Sequence, residues 1–436
     1  MNYRTSKFSY TQFSPNFKGQ LLQWVQKEDT FAWLDSNDFP QTYSSFQSVL
    51  ALDVLKEFTF SGKDAFNKLD DFQKKNKEYL FGYLSYDLKN DIENLKSNNF
   101  DGLYFPDLYF FQPKKLFIFQ SDYIEIQYHT SCCNDLEKDL EFIQQLTDEY
   151  VIEKIEFNIL QRTSKDSYHQ KFHQLQKYIT RGDTYETNLC MEFFVENIDW
   201  HPYALFRELN QISKSPFTVF FRHQEFNLIS ASPERFIRKE GRKIISQPIK
   251  GTRKRGINVL EDLAMKAELE TNAKERSENI MIVDLVRNDL SKTAEKGSVK
   301  VEELCKIYTF PTVHQMISTV TSLVKNEYSP VEIIQSLFPM GSMTGAPKKS
   351  TMQIIEELED HKRGLYAGAF GYFSPQDDFD FNVVIRSLLI NTEKKYLSFS
   401  VGGAITALSN CEDEYEECML KAKNTIQTLN KFLKNK

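Results

Sequence analysis

From Glu186 to the C-terminus, runs rich in β-branched and aromatic residues alternate with longer amphipathic stretches. Few folds satisfy that alternation. The strand runs need sheet partners and the amphipathic stretches need a sheet to cover, so the chain reads as α/β or α+β with one large sheet system. FTVFFR (217–222), FNLISAS (226–232), KIISQPIKG (243–251), FNVVIRSLLI (381–390) and YLSFSVGGAIT (396–406) are expected as strands. Residues 259–290, 330–337, 347–359 and 412–434 are expected as helices. A further helix is expected to start at an Asp166 cap, to carry the stripe Tyr168, Phe172, Leu175 and Ile179, and to end at Gly182.

Upstream, FGYLSYDLK (81–89) reads as a strand, and LYFFQPKKLFIFQSDYIEIQYH (108–129) as two strands around a Pro-containing turn. Residues 134–165 are charged and weakly patterned, which places a connection there. The expected organisation is an N-terminal subdomain over 1–150 and a second domain over 160–434. With 54 basic against 61 acidic residues the net charge is −7, which argues against bulk nucleic-acid binding. The six cysteines form no C-x-x-C pair and fit a reduced, cytoplasmic protein. MNYRTSKFSY lacks a signal-peptide core and no apolar run spans a bilayer, so no membrane partner is expected.

Five groups of residues could carry chemistry. Gln247-Pro248-Ile249-Lys250-Gly251-Thr252-Arg253 ends a strand run with a Lys followed by Gly. It is either a basic surface loop or a Lys projecting into a cleft, where Arg253, Lys254 and Arg255 would lower its pKa toward that of a nucleophile. Glu275 with Glu278, and Glu414 with Glu417, are carboxylates three apart on helices, with Lys421 four residues after Glu417. Each pair shares a face, suited to a hard divalent cation or to solvent. Arg386 lies inside an apolar run and must pair with a structural carboxylate or with a ligand's. Gly341–Lys348 opens a helix, and Gly402-Gly403 is expected to interrupt a strand where backbone approaches a ligand. Glu234, after FNLISAS in Ser232-Pro233-Glu234, could keep a proton if half-buried, or be a loop residue. Neither glycine group has the spacing of an ATP or nicotinamide site.

Taken together, GDTYETNL, SASPERF, PIKGTRKRG, KERSENIMIVDLVRNDL, FPMGSMTGAPK, RGLYAGAFGYF, VVIRS, VGGAIT and EYEECMLKAK occur in an order that resembles the chorismate-utilising enzymes. That family includes component I of anthranilate synthase and of aminodeoxychorismate synthase, and the isochorismate and salicylate synthases. The resemblance implies a large two-sheet β-sandwich flanked by helices with chorismate bound in a cleft. It makes Glu278 and Glu417 the Mg²⁺ ligands, with Glu275 and Glu414 beside them. Tyr366, Arg386 and Lys421 would surround the substrate carboxylates, and Gly251, Thr252, Thr344, Gly402 and Gly403 would cradle the ring. Glu234 would protonate the departing 4-hydroxyl.

Lys250 matches the aminodeoxychorismate synthase branch, where anthranilate synthases carry Ala. The implied chemistry is attack of Lys250 on ring C2 followed by ammonia at C4. The water-adding branch carries Lys at position 186 and amine-transferring members usually carry Gln; here the residue is Glu186. Gln315 and Asn279 stand where the family has His. No glutaminase elbow is present, so ammonia is expected from a separate glutaminase subunit. The competing readings are anthranilate synthase component I and a non-catalytic chorismate-binding subunit. Trp33-Leu34-Asp35-Ser36 lies near the segment where relatives hold tryptophan, or is an ordinary packed turn.

Overall fold

The computed structural model describes residues 2–39, 42–310 and 313–434. Its strands join through antiparallel ladders into one network that folds into two layers. In the first layer Phe226–Ser232 lies between Phe217–His223 and Ser387–Asn391, and the ladder continues through Tyr396–Thr406 to Glu186–Glu196. In the second, Arg235–Glu240 lies between Lys243–Gln247 and Phe379–Val383, and Val313–Leu323 pairs with Lys243–Gln247, Ile249–Lys254 and Lys300–Thr309. Strands from the first 130 residues enter both: Thr30–Asp35 pairs with Phe217–His223, and Leu80–Leu84 with Ala369–Phe373.

Side-chain alternation assigns the two faces of the first layer. Ala32, Ala51, Val219, Phe221 and Leu228 point into the core between the layers, where Phe221 meets Phe370 at 5.2 Å. Phe31, Trp33, Leu50, Phe220 and Ile229 point outward into a second core. Helices Lys165–Arg181, Pro202–Ser213 and Cys411–Asn430 cover that face with Phe172, Leu175, Tyr203, Leu209 and Cys418. A one-residue slip would exchange the two cores, so the alternation fixes register. The fold class expected from the sequence therefore holds.

Several local expectations change. Ser164, not Asp166, caps the helix Lys165–Arg181, its hydroxyl accepting from the Ser167 N–H; the expected stripe is buried and Gly182 ends the helix at φ +85°. Residues 259–290 form two helices, Val259–Thr271 and Ala273–Ser291, because Asn272 leaves helical geometry and caps the second, accepting from the Glu275 N–H. Pro113 lies inside the strand Leu108–Phe119, opposite a bulge between Val54 and Lys56, and the turn falls after Phe119. Gly402 and Gly403 do not interrupt their strand. They sit within Tyr396–Thr406, and a Cβ on Gly402 would lie 2.5 Å from the Cys190 sulfur, so its smallness serves packing against the neighbouring strand. Trp33 is core, while Leu34, Asp35 and Ser36 border a cavity shared with Phe217 and Tyr372.

The run 381–390 is not one strand. Phe379–Val383 belongs to the second layer and Ser387–Asn391 to the first. The chain crosses at Val384–Arg386, with Arg386 left-handed at φ +52°. The segment between Phe226–Ser232 and Arg235–Glu240 crosses in the same way. The two crossings bond to each other: the Val383 N–H donates to the Glu234 carbonyl (3.0 Å) and the Ala231 N–H to the Arg386 carbonyl (3.2 Å).

Candidate active site

These crossings deliver Glu234 and Arg386 to the seam between the layers. Glu234 is 6% exposed, and its Oε1 accepts from the Ser342 hydroxyl at 2.7 Å. Burial pushes its carboxyl up to about 7, against the Ser342 hydrogen bond and the charges of Lys250, Arg386 and Lys421. Near neutrality it exchanges a proton readily, as a general acid must. The Arg386 side chain makes no hydrogen bond or ion pair among the described residues, and burial lowers its pKa while Glu234 opposes the shift. Among the described residues no structural carboxylate pairs with the Arg386 side chain, although Glu234 acts on it electrostatically.

Lys250 lies on the strand Ile249–Lys254, and its Nζ donates to Glu186 Oε1 at 3.0 Å, the two side chains being 12% and 1% exposed. It is therefore not part of a surface loop. The expectation that basic neighbours lower its pKa fails. Arg253 is engaged by Glu268 and Glu275, and Arg255 by Asp262. Burial does act to lower the Lys250 pKa, but Glu186, Glu278 and Glu234 outweigh it and hold the ammonium charged well above its ordinary range. Its nucleophilic form requires a proton acceptor, and Glu186 is in contact with it. Gly251 follows at φ +86°, where a Cβ would lie 3.0 Å from Glu275 Oε2. Thr252 faces Gln315 across the ladder to Val313–Leu323.

The carboxylate pairs lie on the helices Ala273–Ser291 and Cys411–Asn430. Glu278 is buried, its Oε1 has no hydrogen-bond partner among the described residues, and burial raises its pKa to about 7. Glu417 pairs with Lys421 at 2.7 Å, which lowers its pKa. Lys274 joins the two helices, 2.8 Å from Glu414 and 3.9 Å from Glu278. Glu275 pairs with Arg253 at 3.1 Å, and Glu414 also accepts from Ser409 at 2.7 Å. No set of three metal-ligating side chains converges among the described residues. Two carboxylates, one with a buried oxygen that accepts no hydrogen bond among the described residues, nevertheless suit Mg²⁺, which keeps waters and shares its shell with an anionic substrate.

Three expected substrate contacts are engaged within the protein, Tyr366 and Thr344 buried and Lys421 partly exposed. Lys421 Nζ donates to the Gly402 carbonyl at 2.8 Å as well as to Glu417. The Tyr366 hydroxyl lies 3.7 Å from the Cys190 sulfur, and burial holds its pKa well above the ordinary value. The Thr344 hydroxyl donates to the Met340 carbonyl at 3.1 Å. Gln315 is buried, and Asn279 Oδ1 accepts from Ser318. Sequence reasoning assigned nothing to Ser342 or Lys274. Ser342 carries no spacing signal, whereas Lys274 stands four residues before Glu278, a pairing distance on a helix.

Behind the site, Arg363 donates to Glu359 at 2.6 and 2.9 Å and to the carbonyls of Met343 and Asn188 at 2.6 and 2.8 Å, fixing the turn that carries Ser342. Arg363→Met strands the buried Glu359 carboxylate, and a destabilisation of about 3–5 kcal/mol is expected in urea unfolding. A loss under ~1 kcal/mol would mean the ion pair is dispensable.

A family profile described as chorismate binding enzyme matches residues 23–427, nearly the whole chain. The chain belongs to the chorismate-binding enzymes. Two relatives within this family bear on its branch. The aminodeoxychorismate synthase of Streptomyces griseus is 44% identical over 271 residues, 62% of this chain but only 37% of that protein. Aminodeoxychorismate synthase component 1 of Bacillus subtilis (strain 168) is 33% identical over 353 residues, 78% of this chain and 74% of the relative. The fold matches the crystal structure of anthranilate synthase component I from Streptococcus pneumoniae TIGR4 with a TM-score of 0.78, at 23% identity over 88% of this chain and 94% of that one. No helix among the described residues of this chorismate-binding enzyme is long and apolar enough to cross a membrane.

Proposed function

We propose that the chain is component I of an aminodeoxychorismate synthase, converting chorismate and ammonia to 4-amino-4-deoxychorismate for 4-aminobenzoate and folate synthesis. The observation that carries this reading is Lys250, its side chain 12% exposed and paired with Glu186 at 3.0 Å within the electrostatic reach of Glu234. The relatives' names point the same way. Lys250, once its proton passes to Glu186, attacks ring C2, and Glu234 protonates the 4-hydroxyl as it leaves. Arg386, lacking an ion partner of its own among the described residues, orients a substrate carboxylate. Ammonia then attacks C4 and the lysine departs. Its source would be a separate glutaminase subunit, and the six unpaired cysteines suit a reducing cytoplasm.

Glu278 and Glu417 would hold Mg²⁺, which when bound neutralises charge on the substrate carboxylate. A carboxyl raised to about 7 favours its protonated form, so in the metal-free protein Glu278 contributes stability that is full below its ordinary value and is lost as pH rises through about 7. Metal competes with that proton. The dissociation constant for Mg²⁺ should therefore rise about tenfold per unit as pH falls below 7, and Mg²⁺ should raise the melting temperature more at pH 8 than at pH 6. Equal shifts at both would count against Glu278 as a ligand.

The function is tested by incubating the chain with chorismate, Mg²⁺ and ammonium salt, then adding a 4-aminobenzoate-forming lyase. A 4-aminobenzoate peak is expected. Directly fluorescent anthranilate would assign the other aminating branch, and bound but unconsumed chorismate would mark a non-catalytic subunit.

A further inference from the structure

The carboxylates on the helices Ala273–Ser291 and Cys411–Asn430 are each met by a cation. Glu275 pairs with Arg253, Glu417 with Lys421 and Glu414 with Lys274, while Lys250 acts on Glu278 and Glu417 electrostatically. Two of the three paired cations are tied elsewhere. Arg253 also donates to Glu268 through two nitrogens, and Lys421 donates to the Gly402 carbonyl. Lys274 makes its one hydrogen bond among the described residues to Glu414, at 2.8 Å. Its other contact is Glu278 Oε1 at 3.9 Å, too long for a hydrogen bond, so that buried oxygen stays without one. Burial disfavours the Lys274 charge, but Glu414, Glu278 and Glu417 outweigh it and hold the ammonium charged above its ordinary range. The Lys274 side chain is still 41% exposed. Helix formation does not favour a lysine here. Lys274 is the second residue of its helix, where a cation opposes the dipole, and Lys four residues before Glu is the weaker order of that pair. The carboxylates, not the helix, account for its place.

We propose that Lys274 is an internal counter-ion that clasps the two carboxylate-bearing helices in the metal-free chain and yields to Mg²⁺, so that it sets the affinity of the site for the cation. This rests on the reading of Glu278 and Glu417 as the Mg²⁺ ligands. Two positive charges replace one among the same carboxylates. The Lys274 ammonium turns to solvent and gives up no hydrogen bond or ion pair outside that group among the described residues. Arg253 and Lys421 stay, because each is held by a second partner. The clasp spares the metal-free chain a set of buried carboxylates without a counter-charge. Release of Lys274 offsets part of the attraction between Mg²⁺ and the acids, so the site fills at higher Mg²⁺ than the same acids would without the lysine.

The test is Mg²⁺ binding to the full chain without chorismate, read by titration calorimetry and by melting temperature at one fixed pH. Lys274→Met keeps the stem and removes the charge. Its dissociation constant for Mg²⁺ should fall about tenfold, and saturating Mg²⁺ should raise its melting temperature more than that of the wild-type chain. Lys274→Arg keeps the charge and should bind Mg²⁺ within about threefold of wild type. A Lys274→Met affinity equal to or weaker than wild type overturns the inference, and a lysine that only supports the fold would give that result. The wild-type chain supplies a second readout that needs no variant. Mg²⁺ should raise acetylation of Lys274, followed by peptide mass spectrometry, at least about threefold, because the released amine is more exposed and less firmly protonated. Lys325, whose ion pair is with Glu327, should stay constant. Labelling of Lys274 that does not change at Mg²⁺ concentrations that raise the melting temperature also overturns the inference. No Mg²⁺ binding by the wild-type chain at any concentration would instead overturn Glu278 and Glu417 as metal ligands.

Discussion

Turnover of chorismate and ammonium by Lys250→Ala is expected to fall below about a thousandth of the wild-type rate, a loss of ~4 kcal/mol in transition-state stabilisation. Lys250 is the only amine in contact with Glu186 among the described residues, and alanine removes both the proposed nucleophile and the counter-charge of a buried carboxylate. Loss of turnover alone would not separate those two roles. Lys250→Arg does, because a guanidinium keeps the positive charge opposite Glu186 but does not act as an amine nucleophile. Both variants should bind chorismate; the quenched wild-type enzyme should carry a covalent adduct of the mass of chorismate less one water, and neither variant should form it. A Lys250→Ala protein retaining more than about a tenth of the activity would remove covalent catalysis from the mechanism.

Glu234→Gln should cost about 10²–10⁴-fold in kcat, the usual value of a positioned acid. Glutamine keeps the size and can still accept from Ser342, so the folded structure should survive. The pH profile carries the sharper signature. Glu234 is pushed up to about 7, so it holds its proton below that pH and loses it above. The wild-type rate should fall about tenfold per unit on the alkaline side, and Glu234→Gln should lack that limb. An unchanged alkaline limb in the variant would assign it to another group.

The sequence made the site's chemistry more legible than its electrostatics. The order of nine short segments singled out Lys250, Glu234, Glu278 and Glu417 as candidates, and the seam brings the first two into one electrostatic cluster with Glu278. Helix and strand runs were visible because their periodicity is local. What escaped was set by partners distant in the chain. Arg253 and Arg255 look like neighbours of Lys250, yet the strand points them at Glu268, Glu275 and Asp262, and the charges that govern Lys250 come from residues 186, 234 and 278. The continuous apolar run 381–390 hid a change of layer, because hydrophobicity on both sides of Arg386 is equally consistent with one strand or two. Asn272 shows a missed local signal: a capping residue inside the run 259–290, expected as helix throughout, marks the boundary between two helices.

The paired crossings at Ser232–Arg235 and Val383–Ser387 give the protein a mechanical property. Both layers change hands at the same place, and the acid and the guanidinium are mounted on the two strips of backbone that do it. In the proposed reaction, a substrate carboxylate seated on Arg386 would bear on a strip of backbone shared by both sheets, like a rivet through a laminate. Sliding of one layer over the other would separate Glu234 from the groups it must meet. On that reading, occupancy of the seam and slippage of the layers would be linked, and substitutions in either hydrophobic core should alter turnover as well as stability.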